Sequence, residues 1–533
     1  MRNIITSLLF CFAIIGFSIS QTRYVDEVFT SLDIDSNVLY ASNISVLAGS
    51  PVPTGVSVIP ALEMEIYRPA GDTVAERPLI IHMHTGTFLP IILNGNPTGS
   101  RFDAATSMMC QGYAKRGYVV ANIEYRLGWN PMDSTQALRA ASLMKAVYRG
   151  IQDAKSCVRY FRKDYENGNT YGIDTSKIIL SGQGSGGWIA LGYATVDKLA
   201  EIQLPKFLDV SSGTPVALLD TAIIGDWDGY GGYTATNAPT GAPVLNIENH
   251  AGYSNDVHCV LSMGGGIGDL SWLEAGDVPM VAVHCPTDPT AIYTTGDVSV
   301  QQIGIVTTDI SGSYDVIKEA NTLGNNDVFL NQTYTDAYSL AATAANNGAQ
   351  GMVDLGGTTV GAPVNNLFPY ITGNPYESSP WDVWDTTILH AVVGPSVGAT
   401  PAQVTAANAN GLTSNPDMSI MKAMAYVDST LGYFCRRAAL ATGLITTASI
   451  DEVNLNDAIS MYPVPAGNQL TISSNATNIN SVEIYSITGK MALNKLNIHA
   501  NTVELNDLNL PSGVYIVKTN TPIGTSSKRL IIQ

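Results

Sequence analysis

A glycine-rich turn is the part of the chain whose residue types and spacing bear most directly on chemistry. The segment Gly182–Gly187 reads GQGSGG and follows a short apolar strand pattern. A serine on such a strand-to-helix turn can attack an ester carbonyl if small residues flank it two positions before and after. Gly182 and Gly186 have that spacing, but the residue between them is Gly184. Because glycine has no side chain, position 184 offers no nucleophile.

The hydroxyl within this turn belongs to Ser185, one position later than the spacing requires. A nucleophile at Ser185 would have Gln183 two positions before it, where a small residue is needed. Its side chain would also leave the turn in another direction, and catalysis depends on placing reacting atoms to within about an ångström. Two interpretations stay open: Ser185 is a displaced nucleophile, or it is a polar residue at the start of a helix.

The patterns around the turn predict an alternating α/β architecture. Strand patterns cover residues 62–67, 78–83, 118–125, 177–181 and 278–283, and helical patterns cover residues 102–115, 134–164 and 418–438, with a further helix starting at Trp188. Such alternation predicts a mostly parallel sheet with helices on both faces. The glycine- and asparagine-rich stretch from about 196 to 256 is expected to be an insertion over the carboxyl edge of that sheet.

Three ordered segments resemble the carboxylesterase and feruloyl-esterase branch of the α/β-hydrolases. Residues 117–128 resemble a strand and the motif after it, residues 148–160 resemble the long helix, and His284–Asp288 resembles the family's His-Gly-Thr-x-Asp segment. The resemblance covers most of residues 61–445. It implies an α/β-hydrolase fold that acts on an ester, with Asp288 in the position of the triad acid.

The remaining parts of the family's mechanism depart from its pattern. Triad order in this fold is serine, acid, histidine, and His390 is the histidine between Asp288 and the C-terminal region. Its apolar sequence context also fits a core histidine. The stretch Glu377–Asp385 stands where the catalytic loop should end, and it offers acids and tryptophans but no imidazole.

The oxyanion loop is altered as well. The family places a His-Gly-Gly-Gly-type loop here, whose backbone N–H groups face the developing negative charge. In this chain Thr85 and Thr87 stand at glycine positions, and Gly86 is retained. A threonine backbone can still donate, so the loop could persist as a site for an anion or an ester carbonyl.

Two functions are therefore considered. The first is a carboxylesterase-like enzyme in which Ser185, Asp288 and His390 form a displaced triad. The second is a catalytically inactive pseudo-hydrolase that binds a carbohydrate or ester ligand, either a small molecule or a polysaccharide ester, in the remodelled cleft. The simultaneous departure of nucleophile, oxyanion loop and base favours the second for the mature protein.

The C-terminal residues 455–533 show a pattern of short strands separated by turn residues. Strands are predicted at 469–473, 481–487 and 513–518. This pattern predicts a small all-β sandwich. In order, residues 462–465, 482–490, 508–518 and 528–533 resemble the type A sorting domain of the type IX secretion system of Bacteroidetes. That resemblance implies export through the periplasm to the cell surface or the medium, with the secretion machinery as a partner.

The N-terminal residues 1–20 predict a signal peptide, because Arg2 precedes an apolar run that ends in small residues. Residues 21–60 then form an N-terminal arm, before the hydrolase domain at 61–445. No other stretch is apolar enough to span a membrane. The formal net charge of −18 disfavours nucleic acid as a partner.

Metal and disulfide chemistry receive little support from the sequence. Asp226–Gly229 resembles the start of a calcium loop but lacks the later ligands, so a surface turn is predicted, with no metal and no cofactor. Signal cleavage would leave five cysteines. Cys110 and Cys157 fall in helical patterns, and the sequence leaves open whether they pair or are buried thiols.

Overall fold

The computed structural model describes residues 22–45, 59–210, 213–300, 304–330, 332–445, 458–475, 477–486, 490–522 and 524–533. The chain divides into two compact units, Met1–Thr446 and Thr447–Gln533. The predicted signal peptide lies outside the described residues. No helix in the described ranges combines the length and the apolar character needed to cross a bilayer.

The strands of the first unit include the five that the sequence predicts. The strands of this unit are β1 Leu32–Ser42, β2 Ala61–Pro69, β3 Arg77–Met83, β4 Val119–Ile123, β5 Ile173–Gln183, β6 Leu208–Asp209, β7 Val216–Ala217, β8 Cys259–Met263, β9 Gly266–Ile267, β10 Met280–His284, β11 Thr295–Val300, β12 Gly304–Gly312 and β13 Leu367–Pro369. The five predicted strands correspond to β2, β3, β4, β5 and β10.

Eight of these strands form one sheet in the order β1-β2-β4-β3-β5-β8-β10-β13. Strand β2 is antiparallel to both of its neighbours, and the strands from β4 to β13 are parallel to one another. Parallel strands need crossover connections, and here helices supply most of them. This arrangement confirms the predicted α/β-hydrolase fold class.

Helices cover both faces of the sheet. They are α1 Ala104–Lys115, α2 Gln136–Glu166, α3 Ser185–Thr195, α4 Thr221–Ile224, α5 Ser313–Thr322, α6 Ala337–Ala349, α7 Thr386–Ile388, α8 Gly394–Ser396, α9 Pro401–Ser414 and α10 Ile420–Ala441. Short 3₁₀ turns lie at Leu199–Gln203, Pro205–Phe207, Leu270–Trp272 and Asp327–Phe329, and a π-helical turn spans Leu389–Val393. The hydroxyls of Thr135 and Ser419 accept backbone N–H bonds and so fix the starts of α2 and α10.

The two faces of the sheet pack into separate apolar cores because successive strand residues point to opposite sides. In β3, Leu79 and Ile81 join the core beneath α2 and α3, whereas Ile80 joins the core beneath α1 and α10. Since both faces are covered, these central strands read as continuous apolar runs rather than as alternating ones.

The structure shows that Cys110 and Cys157 are buried thiols and do not pair with each other. The cysteines of the described residues, which are Cys110, Cys157, Cys259, Cys285 and Cys435, are all buried free thiols. Burial raises the pKa of each thiol, since the thiolate is poorly solvated in an apolar core. These cysteines therefore serve as small apolar core residues.

The second unit is the small all-β sandwich that the sequence predicts. Its strands are β14 Ile459–Tyr462, β15 Gln469–Ser474, β16 Ser481–Ser486, β17 Met491–Lys495, β18 Thr502–Asn506, β19 Gly513–Thr521 and β20 Gly524–Ile532. They form an antiparallel sheet β14-β15-β18 and a second antiparallel sheet β17-β16-β19-β20. Inward-facing residues such as Leu470, Ile472, Val482 and Ile484 build its own core.

Candidate functional site

The glycine-rich turn has the geometry of a nucleophile elbow. Gly184 stands between β5 and α3 with φ +49° and ψ −116°, a conformation that L-residues rarely adopt. A Cβ added at Gly182 would lie 2.2 Å from the carbonyl of Gly186, and one added at Gly186 would lie 2.2 Å from the Met83 oxygen. The spacing read from the sequence thus has a steric cause. Helix α3 starts at Ser185, not at Trp188 as predicted.

Thr85 fills the place of the missing nucleophile side chain. A Cβ built on Gly184 would lie 2.3 Å from Thr85 Oγ1 and 3.2 Å from Thr85 Cβ. The first distance is far inside van der Waals contact, so a serine at position 184 would force the Thr85 side chain out of its observed position. Glycine at position 184 and threonine at position 85 are therefore sterically matched to each other.

The hydroxyl of Ser185 is hydrogen-bonded to a phenol. Its hydroxyl lies 2.9 Å from the Tyr125 hydroxyl, and Tyr125 in turn donates to the His84 carbonyl at 2.9 Å. Because the phenol has a single proton, Ser185 donates to it. Burial raises the pKa of Tyr125, although Ser185 opposes this shift, so the phenol stays protonated. Tyr125 therefore cannot act as a general base toward Ser185.

His84 is fully engaged behind the loop. Its Nε2 lies 3.1 Å from a carboxylate oxygen of Glu124, and its Nδ1 contacts the Thr85 carbonyl. Burial opposes the charged form of this imidazole, but Glu124 and the Thr85 carbonyl together raise the pKa of His84. The ring also stacks on Tyr125 with centroids 4.5 Å apart. One nitrogen is engaged with the loop and the other with Glu124, so neither is free to take a proton from Thr85 or Ser185.

The loop at the oxyanion position keeps an unusual backbone. Gly86, Thr87 and Phe88 have φ values of +128°, +49° and +58°. A Cβ on Gly86 would lie 2.8 Å from Gly99 Cα, so glycine is required at that position. The Trp129 indole donates to the Thr87 carbonyl at 2.7 Å, which fixes the loop in place.

Asp288 lies at the carboxyl end of β10, as the resemblance implies. One of its oxygens accepts backbone N–H bonds from Thr290 at 2.7 Å and Ala291 at 2.9 Å. The other lies 3.5 Å from Nε2 of His284, a fully buried imidazole. This carboxylate is therefore bonded to the backbone of its own loop, while His284 Nε2 lies closer, at 3.2 Å, to the Ala291 carbonyl.

His390 stands apart from the other predicted residues. It lies on the exposed side of the π-helical turn Leu389–Val393, whereas its neighbour Leu389 is buried. His390 is neither a core residue nor a residue that lines the cavity described next.

A cavity of about 1150 Å³ opens beside the elbow. Of the predicted site residues, those that line it are Thr85, Gly86, Thr87, Gly184, Ser185 and Asp288. Gly182 and Gly186 do not line the cavity, and their role is to allow the close backbone contacts of the turn. The volume slightly exceeds the roughly 300–1,000 Å³ of ordinary small-molecule sites.

The cavity has an apolar part and a polar part. The apolar part includes side chains of α2, α3 and the 199–219 stretch, such as Ile151, Ile202 and Phe207. That stretch belongs to the predicted insertion. The polar part lies among residues 94–98, the 376–384 segment and α9.

Asp382 belongs to the Glu377–Asp385 stretch, whose acids the sequence marks without assigning them a role. It lines the polar part, is 8% exposed, and accepts a bond from the Thr98 hydroxyl at 3.0 Å. Burial, followed by the nearby Asp103 carboxyl, raises the pKa of Asp382 to about 7. The only sequence signal for it was an acid between tryptophans in the segment where the family's catalytic loop should end.

Comparisons with known proteins agree with this organisation. Residues 64–229 match the family BD-FAE, and residues 460–533 match the family described as a secretion system C-terminal sorting domain. No curated protein matches the chain. The chain thus combines an esterase-like α/β-hydrolase domain with a sorting domain, which directs it to the cell surface or the extracellular space.

Solved structures of esterases also resemble part of the chain. Esterase 2 of Thermogutta terrifontis with butyrate bound is 18% identical, with 47% of this chain and 74% of that chain covered and a TM-score of 0.28. The same esterase phosphorylated by paraoxon is 20% identical, with 46% and 71% covered and a TM-score of 0.26.

Proposed function

We propose that this secreted, esterase-like α/β-hydrolase is a pseudo-hydrolase that binds an ester ligand in its cavity without hydrolysing it. The observation that carries the proposal is the position of Thr85 where the nucleophile side chain would stand. With Thr85 in this position, a Cβ at position 184 would lie 2.3 Å from its hydroxyl oxygen. The elbow thus retains its backbone geometry and lacks its reactive group.

The surroundings of the elbow support the same proposal. Acyl transfer from a serine needs a base within hydrogen-bond reach to take the proton. Among the described residues that line the cavity there is no histidine. Ser185 and Thr85 offer hydroxyls, yet the hydrogen bond of Ser185 goes to a protonated phenol, and both nitrogens of His84 are already engaged.

Binding is supported by what the site retains. The cavity has the size of a ligand site, its walls are largely apolar, and the loop at Gly86 is anchored by the bond from Trp129 to the Thr87 carbonyl. A preformed cavity loses little conformational entropy when a ligand enters.

The test measures cleavage and binding on the same full-length protein. Purified wild type and a Ser185→Ala variant are incubated with p-nitrophenyl esters of several acyl lengths and with a fluorophosphonate probe. We expect no release of p-nitrophenol above the uncatalysed rate and no covalent labelling. Quenching of tryptophan fluorescence by the same esters should nonetheless saturate, because Trp129, Trp188, Trp272, Trp381 and Trp384 line the cavity.

Two results would contradict the proposal. Turnover together with labelling at Ser185, lost in the Ser185→Ala variant, would show a displaced triad and make the protein an esterase. Labelling mapped to Thr85 would show that the threonine hydroxyl has taken over the role of the nucleophile.

A further inference from the structure

The charged side chains that line the cavity, among the described residues, are all acidic. Asp288 and Asp382 line it, and no lysine, arginine or histidine does so among the described residues. A carboxylate or phosphate ligand would find no counter-charge there, and an unpaired charge in a partly dry site is costly. The chain's net charge of −18 adds a long-range potential that also favours cations.

Aromatic residues accompany one of the two carboxyls, Asp382, along the cavity wall. Trp381 and Trp384 flank Asp382 in sequence, and Tyr376 lies on the same segment; all of them line the cavity. Faces of tryptophan and tyrosine rings attract ammonium groups through their quadrupole, most strongly where water is excluded. An acid among aromatic rings is thus the chemistry of a site for an alkylammonium group.

Two groups in this wall have incomplete partners. The indole N–H of Trp381, a residue that is 2% exposed, has no hydrogen-bond acceptor among the described residues. Asp382 receives the Thr98 hydroxyl but no cation, and its burial raises its pKa to about 7. A ligand with both a positive charge and an acceptor oxygen would give Asp382 a cation and the Trp381 N–H an acceptor.

We infer that the ligand of this cavity is an amino-alcohol ester, whose ammonium group lies among Tyr376, Trp381, Trp384 and Asp382 and whose acyl chain enters the apolar part. This inference rests on the proposed binding function and specifies the ligand class. The apolar part between α2, α3 and the 199–219 stretch suits an aliphatic chain, since side chains such as Ile151, Ile202 and Phe207 form its wall.

The experiment compares two esters of the same shape. Butyrylcholine carries a trimethylammonium group, and 3,3-dimethylbutyl butyrate carries an uncharged tert-butyl group in its place. Dissociation constants are measured at pH 8 by calorimetry and tryptophan quenching on the wild type, on Asp382→Asn, and on the control Glu76→Gln. The control removes the same charge from an exposed residue far from the lining.

We expect the wild type and Glu76→Gln to prefer the cation by about 3- to 30-fold, as expected for a desolvated cation–π contact. Asp382→Asn should lower that preference, because the carboxylate is gone while the aromatic rings remain, and should bind the uncharged ester with an affinity within about 3-fold of the wild type. Circular dichroism checks that the variant is folded.

The possible failures are distinguishable. Equal or tighter binding of the uncharged ester by the wild type, or an unchanged preference in Asp382→Asn, overturns the inference and leaves the binding function intact. Cleavage of either ester contradicts the proposed function, while a cation preference in KM would still support the ligand class. Absence of binding for both esters contradicts both.

Discussion

Introducing a serine at position 184 should fail unless Thr85 is changed with it. Two costs arise in Gly184→Ser: the positive φ of +49°, and a Cβ placed 2.3 Å from Thr85 Oγ1. Backbone strain of this kind costs about 1–3 kcal/mol, and overpacking a tight site adds about 1–3 kcal/mol. Thr85→Gly removes the second cost and leaves the first. The coupling energy between the two positions is therefore about 1–3 kcal/mol.

The assay is urea unfolding of the full-length chain, followed by tryptophan fluorescence. All six tryptophans lie before residue 447, so the signal reports on the first unit. The set comprises Gly184→Ser, Thr85→Gly, Thr85→Ala and the two doubles. Thr85→Ala should relieve the clash only in part, because its Cβ stays 3.2 Å from the new one.

A matched control separates backbone strain from crowding. Gly71 has φ +73° with nothing within 4 Å of its Cβ position, so Gly71→Ser carries only the conformational cost. The reasoning is refuted if Gly184→Ser costs the same in the wild-type and Thr85→Gly backgrounds, or no more than Gly71→Ser. The Thr85→Gly, Gly184→Ser double variant should still leave p-nitrophenyl esters intact, since no histidine lines the described cavity.

Three further predictions concern the surroundings of the elbow. Ser185→Ala should cost only about 0.5–1.5 kcal/mol, the value of its bond to Tyr125, and should leave ligand affinity unchanged in titrations. Asp382 has a pKa raised to about 7 by burial, so its stabilising effect is full below about pH 4 and is lost as pH rises through 7. Unfolding of Asp382→Asn across pH 4–8 should therefore show a shallower decline than the wild type, with a difference of at most about 4 kcal/mol. Asp153→Asn should destabilise the first unit by about 3–5 kcal/mol in urea unfolding. Arg126, whose Nε lies 2.8 Å from the Asp153 carboxylate, would then stay buried without a negative partner. A loss of stability below about 1 kcal/mol would show that the pair is solvated.

The fold could be predicted from local strand and helix patterns in the sequence. The strand patterns at 78–83 and 118–125 and the helical pattern at 134–164 correspond to β3, β4 and α2. They could be read from sequence because side-chain period follows directly from backbone geometry. The glycines of the turn could also be recognised from their spacing in the sequence. Contacts within the turn require Gly182, whereas the Met83 carbonyl at the end of β3 requires Gly186.

The site could be read only in part, because its members come from distant strands. Asp288 was placed from a local segment, but its bonds to Thr290 and Ala291 required the fold of the loop. His390 was considered as a base from triad order alone, and its exposure depends on which side of a π-helical turn faces the protein. Asp382 had no periodic signal that would place it in the polar part of the cavity.

What the sequence determined by itself was the turn, the alternating architecture and the sorting domain, since each depends on neighbours along the chain. What only the tertiary structure decided was why Gly184 is glycine. Strands β3 and β5 are parallel with Met83 opposite Gly182, so two residues further along Thr85 comes to lie beside Gly184. That register joins residues far apart in sequence, and a side chain on one loop can exclude a side chain on the other only after the sheet has formed.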